Sequence, residues 1–205
     1  GGAIGATVSN AVRFGIARGI FSNEAGLGAA SIVHAQAKNT PTGQGMWGIW
    51  EVFIDTIIVA TMTALVILVT GALGIVDAAG EVVTGGELAA EAFTKGLAGP
   101  GSFIVLLGLA LFSYTTMLTW SFYGEKSWEY IFGSKVVVLY RLLFLAFLYV
   151  GAVGGLEVVW GIADTLNGLM AAPNLIALLV LTAVIVKEKD SFLSTLQGKN
   201  NKEGE

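Results

Sequence analysis

Ser22, Asn23 and Glu24 stand where a membrane-spanning helix should be apolar, with Arg18 a turn before them and Gly19, Gly26 and Gly28 around them. In hydrocarbon an unpaired backbone group costs roughly several kcal/mol, so only unbroken helices and closed barrels face lipid. A polar, glycine-laced centre is tolerated where it is buried in protein or lines a cavity. The chemistry it permits is that of a transport site, where a helix breaks near the bilayer midplane and its freed N–H and C=O groups meet solute and ions. A small-residue packing stripe, Ala11, Gly15 and Gly19 at four-residue spacing, accounts for the glycines before Phe21. It does not account for Ser22-Asn23-Glu24 followed at once by two more glycines. The break is therefore expected over residues 22–26.

A second set lies within residues 112–120, FSYTTMLTW. Ser113, Thr116 and Trp120 share one helical face. The adjacent hydroxyls of Thr115 and Thr116, with an upstream carbonyl, are hard oxygen ligands of the kind a small cation takes. The plainer alternative is that such hydroxyls bond back to the preceding helical turn. Glu51 and Asp55, four residues apart, also share a face. Glu51 is read as a carboxylate in a helix's N-terminal turn, pairing with Arg13 or Arg18. Asp55 stays open between that role and cation attraction or proton handling near a pocket entrance.

These residues need an apolar frame, and the composition supplies one. Hydrophobic residues make up 55% of the 205 and charged residues only 13%, against about a quarter charged in soluble domains. With a mean hydropathy of +0.76 and several uncharged runs, the chain reads as an all-α polytopic membrane protein. Spans are expected at about 10–37 (interrupted), 47–70, 101–123 and 136–153. Residues 36–45 read as a polar turn, 71–99 as a long loop with a short surface helix at 87–97, and 124–135 as a loop. Lys95 is the only basic residue of 71–99, which places that loop outside, whereas Lys126, Lys135 and Arg141 place 124–135 inside. A cytoplasmic tail at 188–205, after a bundle at 1–187, then leaves room for one further crossing. We assign it to 174–186 with its approach, and read 156–171 as a partial, tilted or surface helix; alternatively both cross and the tail lies outside.

There is no cysteine, and His34 is the single histidine, so disulfides, thiolate metal sites and paired-histidine metal sites are excluded. An intramembrane enzyme would need a Ser–Lys, paired-Asp or His–metal arrangement, and no span carries a lysine. A channel module should repeat a filter segment, and none repeats. No basic patch points to nucleic acid. The chain opens Gly-Gly-Ala-Ile without Met, which reads as a piece of a longer protein.

The run 18–35, the stretch GMWGIWEVFIDT at 45–56, and TMLTW at 116–120 with Tyr123-Gly-Glu125 resemble the alanine or glycine:cation symporter family, most specifically over 18–68. By length the chain is similar to the C-terminal half of such a protein. The resemblance implies the second five-helix repeat of a leucine-transporter-like inverted-repeat bundle, opened by the glycine-broken helix. It implies sodium-coupled symport of alanine or glycine, with the N-terminal half, lipid and the amino acid as partners and sodium as the co-transported ion. By the same analogy Phe21, Ser22, Asn23, Thr116 and Trp120 face the substrate, and the Phe112 carbonyl with Thr115 and Thr116 ligates sodium. A half-helix N-terminus would receive the substrate carboxylate. Phe21 and Trp120 would leave little room for bulky side chains. Proton coupling, or a fragment inactive by itself, are the alternatives.

Overall fold

The computed structural model describes residues 2–97 and 101–203, apart from the side chains of 2–6, 156–157 and 198–203. Helix α1, Gly2–Asn23, ends in the polar cluster. Ser22 and Asn23 are still helical, and the Glu24 N–H still bonds the Ile20 carbonyl at 3.0 Å. The break thus begins two residues later than expected, because helical bonding persists until the first left-handed residue. That residue is Glu24, with φ 56°, followed by Gly26 at 85° and Gly28 at 79°. Only glycine takes such values without strain, which is why the turn needs its two glycines. Leu27 and Ala29 are buried and anchor it. A short helix α2, Ala30–His34, follows.

Helix α3, Pro41–Phe53, starts inside the segment expected to be a turn. Thr40 is the reason: its hydroxyl accepts from the Gly43 N–H at 3.1 Å, and proline at the first helical position loses no bond. The helix then widens into a π-helical turn, Ile54–Val59, and resumes as α4, Ala60–Val69.

The chain packs as two compact units, Gly1–Asp55 with Ala146–Glu205, and Thr56–Leu145. In the first, α1 rests on α8 (Leu156–Val180), while α9 (Thr182–Glu203) packs on both α3 and α8. The expected division between 156–171 and 174–186 is overturned: α8 runs without a break from the first into the second as far as Val180, with Pro173 inside it, and residues 182–186 begin α9. Proline is tolerated in an apolar helix more readily than its breaker reputation suggests. Val158–Val180 is long and apolar enough to cross as a single span.

In the second unit, α5 (Gly85–Gly96) packs on α4 and on α6 (Gly101–Phe132). The surface helix expected near 87–97 is therefore present. The loop before it folds around Asp77, whose Oδ1 accepts from the Ala79 and Glu81 N–H groups at 2.8 and 2.9 Å. Helix α6 continues through most of the expected 124–135 loop and stops at Gly133, φ 82°, before a 3₁₀ turn (Ser134–Val136) and α7 (Val137–Val153). The α6–α7 hairpin is closed by Arg141, which donates to both Glu125 carboxylate oxygens at 2.6 and 3.0 Å. Tyr140 lies against Gly124, where a Cβ would overlap its hydroxyl and ring.

Among the described residues four helical stretches are long and apolar enough to cross a membrane: Pro41–Val69, Gly101–Phe132, Ser134–Val153 and Val158–Val180. Their large apolar side chains point outward; Val69, Phe112 and Leu179 are 79%, 74% and 76% exposed. Apolar surface so extensive suits lipid or a protein partner, not water. This is a multi-pass membrane protein.

Candidate functional site

The end of α1 is held from several sides. The Ser22 hydroxyl donates to Asp55 Oδ1 at 2.8 Å, joining the last helical turn before the break to the π-turn of the Pro41–Val69 helix. Asn23 Oδ1 accepts from the Ala25 N–H at 2.9 Å and so stabilises the first residues of the turn. Phe21 meets Trp160 edge-on at 5.3 Å. Arg18, one turn earlier, pairs with Asp164, and its guanidinium sits 3.8 Å from the Trp160 ring centre. A cation over an indole face adds about 0.5–2 kcal/mol depending on desolvation.

Two expectations for the carboxylates fail here. Because the continuous helix Pro41–Val69 begins at Pro41, neither Glu51 nor Asp55 lies at its N-terminal turn, although Asp55 opens the π-turn within it. Glu51 pairs with His34, whose Nε2–H donates to Oε2 at 3.0 Å, and not with Arg13 or Arg18. The Gln44 amide donates to the other His34 nitrogen at 2.7 Å. Asp55 is the carboxylate that reaches the broken helix. Sequence spacing put Glu51 and Asp55 on one face; the pairing separates them into two contacts.

An open cleft of about 690 Å³ adjoins the break, lined by Asn23, Glu24, His34, Gln44, Glu51 and Asn174 among others. Its lining mixes these polar groups with apolar Leu178 and Leu181, which suits a small amphipathic solute. The expected helix-dipole contribution needs correction. Beyond the break α2 has five residues, too few for the partial charge of a long helix to develop at its N-terminus. The longer dipole is that of α1, whose C-terminal carbonyls present partial negative charge to the break. That end favours a cation or an ammonium group.

In the second unit Phe112, Thr115, Thr116 and Trp120 all lie on α6. The Thr115 hydroxyl donates to the Leu111 and Phe112 carbonyls at 3.0 and 3.1 Å, so the back-bonding alternative describes its contacts. The same geometry sets the Phe112 carbonyl and the Thr115 oxygen side by side. Thr116 is exposed, and Trp120 meets Tyr123 edge-on at 5.8 Å. Phe21, Ser22 and Asn23 come together at the end of α1, and the α6 residues form a separate group in the other unit.

Asp164, Trp160 and Asn174 were not among the expected site residues. Asp164 was visible as a charge within an apolar run. Nothing in spacing linked it to Arg18 across so much chain.

A multi-pass helical protein with a polar helix break at a cleft is of the class that moves solutes across membranes. The family model described as the sodium:alanine symporter family matches residues 1–205, and the chain belongs to that family. Its members are transporters and not enzymes. The chain is 45% identical over 192 residues to the sodium/alanine symporter AgcS of Methanococcus maripaludis, covering 92% of this chain and 41% of that protein. It is 45% identical over 199 residues to an uncharacterized transporter of Haemophilus influenzae, covering 96% and 42%. It is 34% identical over 187 residues to the probable sodium/glutamine symporter GlnT of Bacillus subtilis, covering 90% and 37%. The chain thus spans about two-fifths of the length of the curated relatives it matches.

Proposed function

We propose that this chain contributes one half of the site of a sodium-coupled symporter for a small neutral amino acid, alanine or glycine, in the cytoplasmic membrane. The observation that carries the reading is the end of α1: a helix stopped by a left-handed turn, with Ser22 fixed to Asp55 and the break opening on a cleft. Its α1 carbonyls suit the solute's ammonium group, and Phe21, Ser22 and Asn23 are the contacting side chains. On α6, Thr116 and Trp120 are the solute-facing residues. The Phe112 carbonyl with the Thr115 and Thr116 hydroxyls supplies oxygen ligands for the co-transported sodium. In this reading the fold is the second five-helix repeat of an inverted-repeat bundle, with 188–205 as a cytoplasmic tail. The rest of the pocket comes from the part of the transporter homologous to what the relatives carry beyond this match.

Alanine is favoured by the higher identity to a relative named for sodium and alanine than to one named for sodium and glutamine. Proton coupling in place of sodium is the second reading, and the His34–Glu51 pair on the same cleft gives it a specific residue pair. The test is uptake of labelled alanine into proteoliposomes holding the transporter that carries this chain, under an inward sodium gradient or an inward proton gradient. Uptake driven by sodium and lowered by Ser22→Ala supports the first reading. Uptake driven by protons alone replaces it with the second. No uptake of any small neutral amino acid under either gradient removes both.

A further inference from the structure

Helix α8 grips α1 on both sides of its break. On the near side Asp164 pairs with Arg18, and Trp160 packs against both Arg18 and Phe21. On the far side the Asn174 Nδ2–H donates to the Gly26 carbonyl at 2.9 Å. Asp164 and Asn174 are separated along α8 by roughly 15 Å at 1.5 Å per residue, enough to straddle the turn.

The second contact has a physical reason to matter. A carbonyl in a helix break lacks the N–H four residues on that would otherwise bond it, and away from water it needs a donor from elsewhere. Gly26, at φ 85°, is such a residue, and Asn174 supplies the donor. The same side chain fills the space beside Gly28, where a Cβ would come 2.7 Å from Asn174 Oδ1. One amide thus fits two left-handed glycines two residues apart: it bonds the first and packs against the second.

We infer that Asn174 is a positioning residue of the broken-helix site. By holding the Gly26 carbonyl it sets the shape of the 24–29 turn. Together with the Arg18–Asp164 pair it makes α8 a clamp that has to shift whenever the break changes shape. The inference rests on the reading of the α1 end as solute-facing.

The experiment uses the transporter that carries this chain, purified and reconstituted, with alanine as the probe. Half-saturation, maximal uptake rate and thermal midpoint are measured for wild type, Asn174→Asp and Ser22→Ala. Asn174→Asp keeps the shape and removes the donor. It should raise the half-saturation concentration about tenfold, the effect of losing one well-placed hydrogen bond, with maximal rate within about twofold and a thermal midpoint lowered but still showing a cooperative, folded protein. If instead folded yield and maximal rate fall at unchanged half-saturation, Asn174 is a packing residue and the inference is overturned. Wild-type half-saturation in Asn174→Asp beside a raised value in Ser22→Ala overturns the clamp and leaves the solute site standing. Wild-type values in both overturn the site reading and the clamp with it. Should Asn174→Asp not fold, Asn174→Ala, which removes the donor without adding charge, is judged by the same comparison.

Discussion

The Thr115 hydroxyl already donates its proton to helix carbonyls, which leaves its oxygen lone pairs to a cation. Replacing Thr115 and Thr116 together with valine keeps volume and deletes both hydroxyls, a change that is not neutral. The sodium half-saturation concentration should rise about tenfold or more, with alanine affinity falling only through the linkage between the two ligands. A well-expressed double variant with unchanged sodium dependence would take these residues out of the ion site. Trp120 makes a different case, since its ring meets Tyr123 and belongs either to the solute pocket or to the packing of α6. If it limits solute size, Trp120→Ala should shift competition from alanine towards leucine or methionine and weaken alanine itself. Lost expression at a constant alanine-to-leucine ratio would assign the ring to packing.

At the scale of elements, capping and close approach make the sharpest statements. Thr40→Ala removes the cap of α3 and should cost about 1 kcal/mol, read as a lower unfolding midpoint of the purified protein. Gly124→Ala should destabilise the α6–α7 hairpin because the methyl group enters the Tyr140 ring, and Tyr140→Ala in the same chain should restore most of the loss. A thermal shift for Gly124→Ala that Tyr140→Ala leaves uncorrected would deny the contact. The sequence shows these features unevenly. The helix break was legible because Gly26 and Gly28 sit beside three polar residues. Its first residue was not, since a left-handed glutamate carries no compositional mark. Thr40-Pro41 is a helix start in plain view, but the glycines at 43 and 45 made it read as a turn. The count of crossings drawn from the basic residues divided α8, whose length depends on packing and apolar surroundings and not on local propensity. Candidate ligands on α6 were readable from spacing; the Ser22–Asp55, Arg18–Asp164 and Asn174–Gly26 contacts join residues far apart in the chain, and no periodicity encodes them.

For the whole molecule the distribution of basic residues sets a direction that can be checked. Tyr130, 92% exposed near the end of α6, belongs to the side read as cytoplasmic, and the exposed Thr84 to the outer loop. With an impermeant thiol reagent on intact cells, Thr84→Cys should label and Tyr130→Cys should label only after permeabilisation. The opposite pattern would invert every span. With Val158–Val180 counted as one crossing, the same labelling pattern predicts the start of α9 inside.

The π-turn at Ile54–Val59 has a genetic reading as well. Such a turn is an α-helix holding one extra residue, so the loss of a single codon there would return the helix to regular winding. Because an i→i+5 bond carries the chain to the place an i→i+4 bond would reach one residue sooner, the residues on either side of the turn would keep their present faces. In this stretch of the gene a three-base deletion should therefore be better tolerated than the same deletion in the regular helix before or after it, where every later residue would turn by about 100°.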